Sequence, residues 1–151
     1  MNPVRRLTLE GLRKVVKQRV DSNGFENLFK EMKVLSGGDG QCCCELRVTS
    51  PLMNARGSLH GGVTASLVDA VSTYALMTTG TGAPGISMDL NVSYLKPVKL
   101  DDSVVVEAKT LSCGRTLAVA TVDIRSKQTG QLVAHGRHSK FVGQKVSSDP
   151  A

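Results

Sequence analysis

The apolar and polar positions of this chain fall into two rhythms. Over residues 58–77, SLHGGVTASLVDAVSTYALM, the apolar side chains Val63, Leu67, Val68, Val71, Tyr74, Leu76 and Met77 are joined by Ala65, Ala70 and Ala75. They spread around almost the whole circumference of a helix, and such a helix needs cover on most sides. Elsewhere the period is two. In GQCCCELRVT, Cys42, Cys44, Leu46 and Val48 share one face, and Cys43, Glu45, Arg47 and Thr49 the other, which predicts a strand. Four further strands are predicted over 86–95, 103–112, 115–126 and 131–142. The dipeptides at 113–114 (CG) and 129–130 (TG) fall where tight hairpin turns belong, and connections that short imply antiparallel neighbours. Leu7, Leu9, Leu12, Val15, Val16 and Val20 have helical spacing, so residues 8–32 read as a helical region. The expected fold is α+β, with an antiparallel sheet wrapped around one long central helix and a partner chain completing its cover.

Length and composition set outer bounds on this picture. The chain has 151 residues, 40% apolar and 21% charged, which suits a single domain with a substantial core. The expected organisation is a basic helical segment over 1–32 packed on the domain, the main domain over 33–143, and a disordered tail over 144–151. No apolar run reaches the roughly 18 to 20 residues that cross a bilayer. The net charge of +6 favours anionic partners, but aromatics are only 3% of the chain and no nucleic-acid motif is present. A phosphorylated small ligand fits this charge as well as a nucleic acid does.

Cys42, Cys43, Cys44 and Cys113 make a poor disulfide framework and are expected to be reduced thiols. The basic, acid-poor first twenty residues fit either an amphipathic helix lying on the domain or a mitochondrial presequence. The expected location is therefore the cytosol, the mitochondrion or both. The same helix could meet a protein or a lipid surface.

Asp69 is the anomaly within the long helix. It is the single formal charge in 58–77, and the positions three and four residues away are Ala65, Ser66, Ser72 and Thr73. A buried carboxylate without a partner is costly unless it is used, so Asp69 either carries chemistry or is a structural residue that bonds to a hydroxyl or faces water. At the start of the same helix stand His60, Gly61 and Gly62. Backbone N–H groups there lack intrahelical partners and carry the positive end of the helix dipole, so Gly61 can serve as an oxyanion donor, or the segment can be a plain glycine turn capped by His60. Eight residues separate Gly61 from Asp69, about 12 Å along a helix. A reacting atom must lie within roughly 3 to 3.5 Å of its catalytic group. The two cannot serve one carbonyl from one chain, so if both are catalytic the site is shared between two chains related by a two-fold axis.

The segments NARGSLHGGVTASLVDAVS and GAPGISMDLNVSYLKP, with the ending GRHSKFVG, resemble the hotdog-fold acyl-CoA thioesterases from about residue 8 to 143. The resemblance implies a hotdog dimer with sites at its interface, and dimers that pair into tetramers. It implies hydrolysis of fatty acyl-CoA, with medium- to long-chain substrates expected, to fatty acid and coenzyme A. In the family pattern, Asp69 is the general base or nucleophile and the Gly61 N–H polarises the thioester carbonyl. Asn54 positions substrate or water, Ser87 helps hold the attacking water, and His60 lies beside the thioester. Two other readings remain: a hotdog hydratase acting on enoyl or hydroxyacyl thioesters, and a non-catalytic acyl-CoA-binding protein with a partner at its N-terminal helix.

Read from the residues alone, Ser87 alternates with Asp89, Asn91 and Ser93 and so belongs to a polar strand face. Lys96, Lys99, Arg115, Arg137 and Lys140 are the candidates to meet the three phosphates of coenzyme A. No cofactor is expected, since coenzyme A is part of the substrate. No metal is expected either: paired C-x-x-C or H-x-x-x-H spacing is absent, and His135 and His138, three apart on a strand, point to opposite faces and read as structural.

Overall fold

The computed structural model describes residues 5–143, so the expected tail over 144–151 lies outside it. The N-terminal helix α1, Leu9–Val20, starts on Thr8, whose hydroxyl accepts the Gly11 N–H. It ends at Asp21, where Asp21-Ser22-Asn23-Gly24 breaks the pattern, well short of the helical region predicted to residue 32. A 3-10 turn, Phe25–Phe29, follows. Leu12, Val16 and Val20 of α1 and Phe29 of the turn are buried.

Among the described residues, six antiparallel strands form one sheet in the order β1-β2-β4-β5-β6-β3. They are β1 (Lys33–Gly38), β2 (Gln41–Arg47), β3 (Ile86–Tyr94), β4 (Ser103–Cys113), β5 (Leu117–Ser126) and β6 (Leu132–Phe141). Five match the predicted strands to within two residues. The sixth, β1, has no apolar alternation, ends in two glycines and carries a bulge between Val34 and Ser36. Asp39 and Gly40, both at positive φ, close the β1–β2 hairpin with the two-residue turn whose twist suits antiparallel strands. On β2, Cys42, Cys44 and Leu46 are buried as the alternation required. All four cysteines are free.

The central helix α2, Gly61–Leu76, lies across this sheet. Val63, Leu67, Val68 and Val71 pack into the core with Val104, Val106, Val122 and Ile124 of the sheet. Close approach is possible because β6 places Gly136 under Val68, where a Cβ would come within 2.5 Å of the valine. The sheet does not cover α2 completely. Gly62 and Asp69 are exposed and Ala65, Ser66 and Ala70 half-buried, which leaves one stripe at helical spacing open on the single chain. Among the described residues, no helix is long and apolar enough to cross a membrane.

Candidate active site

The start of α2 is built by its own loop. His60 is the N-cap, and its Nδ1 accepts the Gly62 N–H at 2.8 Å. An acceptor at Nδ1 places the proton of the neutral imidazole on Nε2, leaving that N–H as a donor. The Gly61 carbonyl accepts the Tyr94 hydroxyl at 2.9 Å, and no acceptor for the Gly61 N–H occurs among the described residues. Asn54 ties the preceding loop together: its Oδ1 accepts the backbone N–H groups of Arg56 and Ser58, and its Nδ2 donates to Ser58 Oγ. Asn54, Gly61, Tyr94 and Lys96 line one cavity of about 330 Å³.

Asp69 stands in a second cavity, of about 370 Å³, two turns along the helix. Its side chain is 51% exposed, so the burial expected of it is not found in the single chain. The reason is its place on the open stripe of α2. Asp69 Oδ1 lies 3.8 Å from His138 Nε2, and the same nitrogen is 2.8 Å from Ser87 Oγ. The Nδ1 of His138 is 2.7 Å from Ser72 Oγ, whose hydroxyl also reaches the Asp69 backbone carbonyl. His138 therefore gathers Asp69 and Ser87 around one ring nitrogen. Reading it as merely structural misses this position.

Ser87 reaches His138 because of a β-bulge. β3 slips register against β6 between Ser87 and Asp89, so Ser87 pairs with Lys140 whereas Asp89 pairs with Ser139. Paired residues share a face, and the extra residue, Met88, turns Ser87 inward while Asp89, Asn91 and Ser93 stay outward. The expected shared polar face is thus corrected.

The phosphate candidates separate. Lys96 lines the Gly61 cavity and donates to Gln131 Oε1 at 3.1 Å, while Lys99 is exposed and bridges to Ser58 in the loop beside it. Arg115 is exposed in the β4–β5 turn, and Arg137 is exposed on the sheet face opposite α2. Lys140 does not fit the surface role expected of it. It is buried, and its ammonium donates to Thr73 Oγ1 at 2.7 Å in the Asp69 cavity. Burial pushes its pKa down, the Asp69 carboxylate pulls it back up, and the Arg19 charge lowers it again. Among the described residues, no cluster of three or more His, Cys, Asp or Glu side chains is arranged to hold a metal ion.

His138 is held below the ordinary histidine value, first by burial and then by the Lys140 charge, with Asp69 and Asp89 opposing. Below about pH 6.5 the unfolded chain takes up a proton that the folded chain resists. Stability therefore falls as pH drops through this range, by up to about 1.4 kcal/mol per pH unit from this group. Urea midpoints taken at pH 7.5 and 5.5 will show a steeper decline for the wild type than for His138→Gln. Equal declines would place the acid sensitivity elsewhere.

The single chain thus brings Asn54 and Gly61 to one cavity, and sets Asp69 in another, with Ser87 and Asp69 meeting at His138 Nε2. Residues 56–133 match the family model of the thioesterase superfamily. The chain belongs to the thioesterase superfamily. It is 43% identical to acyl-coenzyme A thioesterase 13 from Homo sapiens over 134 residues, covering 89% of this chain and 96% of that protein. The crystal structure of zebra fish thioesterase superfamily member 2 superposes with a TM-score of 0.88 at 42% identity, covering 91% of this chain and 99% of the other. A hypothetical thioesterase protein from Streptococcus pneumoniae, solved with coenzyme A, gives a TM-score of 0.71 at 27% identity, with 77% and 92% covered. The hotdog arrangement of sheet and central helix is shared with these structures, and membership makes the chain a thioester hydrolase.

Proposed function

We propose that the chain hydrolyses fatty acyl-CoA, of medium to long acyl length, to fatty acid and coenzyme A at two equivalent sites across the interface of a homodimer. The single observation that carries this reading is the separation of the two half-sites. The Gly61 N–H and the Asp69 carboxylate lie in different cavities of one chain, about 12 Å apart along one helix. Two helices running antiparallel across a two-fold axis bring each N-terminus to the partner's carboxylate. The open stripe of α2 supports this arrangement. So does the edge strand β3, which is exposed at Ile86, Met88, Leu90 and Tyr94. Pairing of two dimers into a tetramer belongs to the same reading.

In this site the thioester carbonyl oxygen accepts the Gly61 N–H, assisted by the positive end of α2. Asp69 of the facing chain acts as general base or nucleophile. Ser87, fixed by His138 Nε2, holds water beside that carboxylate. Water that gives its proton to Asp69, or the carboxylate itself, attacks the carbonyl carbon to give a tetrahedral oxyanion, whose collapse breaks the C–S bond and releases the coenzyme A thiolate. Where the carboxylate attacks, water then hydrolyses the acyl-Asp69 anhydride to free the fatty acid. The Nε2–H of His60, at the same helix end as Gly61, assists that thiolate. Lys96, which lines the Gly61 cavity, supports departure of the coenzyme A phosphates on that side, with Lys99 beside it. No step calls for a cofactor.

Thiol release from short-, medium- and long-chain acyl-CoA tests the reading, with a protein-only blank because the chain carries four cysteines. One free thiol should appear per acyl-CoA consumed. Binding without thiol release, or hydration of an enoyl-CoA with its thioester kept, would overturn it.

A further inference from the structure

The cavity at Asp69 has a wall that the catalytic reading does not use. Asp69, Ala70 and Tyr74 of α2 form one side, and Phe25 and Phe29 of the 3-10 turn form another. Phe29 is buried and anchors the turn, whereas Phe25 is 59% exposed and packs edge-to-face on it, ring centres 6.1 Å apart. The large exposed aromatic surface of this cavity therefore sits at its rim. Its cations are already engaged: the Lys140 ammonium is on Thr73 Oγ1, and the Arg19 guanidinium lies 5.6 Å over the Tyr74 ring. Glu26 and Asp69 set two carboxylates against these two cations, so the lining offers no excess charge to attract an ionic occupant. Phe29 and Tyr74 are themselves buried, so the aromatic surface on offer to a hydrocarbon chain is the Phe25 ring at the rim. Taking roughly 30 Å³ for a water-sized group, the cavity of about 370 Å³ has room for on the order of ten such groups.

The wall precedes the segment that the family model matches. The family model matches residues 56–133, and both α1 and the 3-10 turn precede it. With the thioester carbonyl at Gly61 of one chain and Asp69 of its partner, the end of the substrate that passes Asp69 enters this cavity. The other end leaves past Lys96.

We propose that the 3-10 turn Phe25–Phe29, with the end of α1, is the acyl-chain wall of the site, and that Phe25 is a specificity-determining residue that sets which chain lengths are turned over best. This rests on the thioesterase reading above. Each buried methylene is worth about fourfold in binding, so a ring that covers the far part of the chain shows its effect only on acyl groups long enough to touch it.

The test is the ratio of kcat/KM for dodecanoyl-CoA to that for butanoyl-CoA, measured below micelle-forming concentrations on the full chain. Phe25→Ala should lower this ratio by about tenfold, and Phe25→Leu, which keeps an apolar side chain there, should restore most of it. Partial loss of folded protein cancels in the ratio. An unchanged ratio in Phe25→Ala overturns the proposal, including the case in which both substrates slow equally and the oligomer dissociates, because the ring is then an interface residue. A wild type that hydrolyses neither substrate removes the thioesterase reading and the acyl wall together, whereas an active wild type with a flat ratio removes the wall alone.

Discussion

Asp69→Asn will lower kcat/KM for acyl-CoA by about 10²- to 10⁴-fold, the size of a lost general base, with little change in melting temperature. Both halves of this expectation come from the surroundings of the side chain. The carboxylate is 51% exposed; among the described residues its one side-chain contact within 4 Å from a basic group is His138 Nε2, at 3.8 Å, and the Lys140 ammonium in the same cavity is held on Thr73 Oγ1. The hydroxyls of Ser72 and Thr73 that turn toward residue 69 donate to its backbone carbonyl, which asparagine keeps. An isosteric change at a half-exposed site with no strong partner alters stability by within about 0.5 kcal/mol. The amide fills the same space but neither takes a proton from water nor attacks a carbonyl carbon. Thiol release and thermal melts on the same preparations check the two parts together. Activity within a few fold of wild type would move the working base to another residue. A large fall in melting temperature would make Asp69 a structural group.

The elements that the sequence made legible are those with strong hydrophobic contrast. Helix α2 announces itself because its apolar residues run round the helix, and β2 because Cys42, Cys44, Leu46 and Val48 contrast with their neighbours. The separation of Gly61 from Asp69 needs only the helix rise and was readable from spacing. What the sequence hid lies where contrast fails. β1 has glycines and a bulge instead of alternation. On β6 the inward residues Gly136, His138 and Lys140 are no more apolar than the outward His135, Arg137 and Ser139, so the period gives two faces without saying which meets α2. That ambiguity makes His138 read as structural and Lys140 as a surface cation. Ser87 was hidden differently: a bulge at Met88 reverses a face, and no residue type marks its position. The exposure of Asp69 follows from a sheet that covers most, but not all, of a helix that is apolar nearly all round.

Mixing two inactive variants will restore activity. Gly61→Pro removes the backbone N–H proposed as oxyanion donor and should cost about 10²- to 10³-fold in kcat. The position suits the change: it is the first residue of the helix, where proline is accepted, and His60 before it already has the extended backbone proline prefers, φ −62° and ψ 132°. A Cβ at residue 61 meets Tyr94 at 3.4 Å, an ordinary contact, so Gly61→Ala, which keeps the N–H, serves as the control and should stay near wild type. A dimer of one Gly61→Pro chain and one Asp69→Asn chain has one site with both defects and one with neither. Random assortment makes about half of the dimers mixed, and half of their sites intact, so co-expressed chains should recover about a quarter of wild-type activity. If each site were built from one chain, every site in the mixture would carry a defect and activity would stay at the level of the variants. Recovery therefore measures where the two half-sites meet. It does so without a bound ligand, because the readout depends only on which chain supplies the N–H and which the carboxylate.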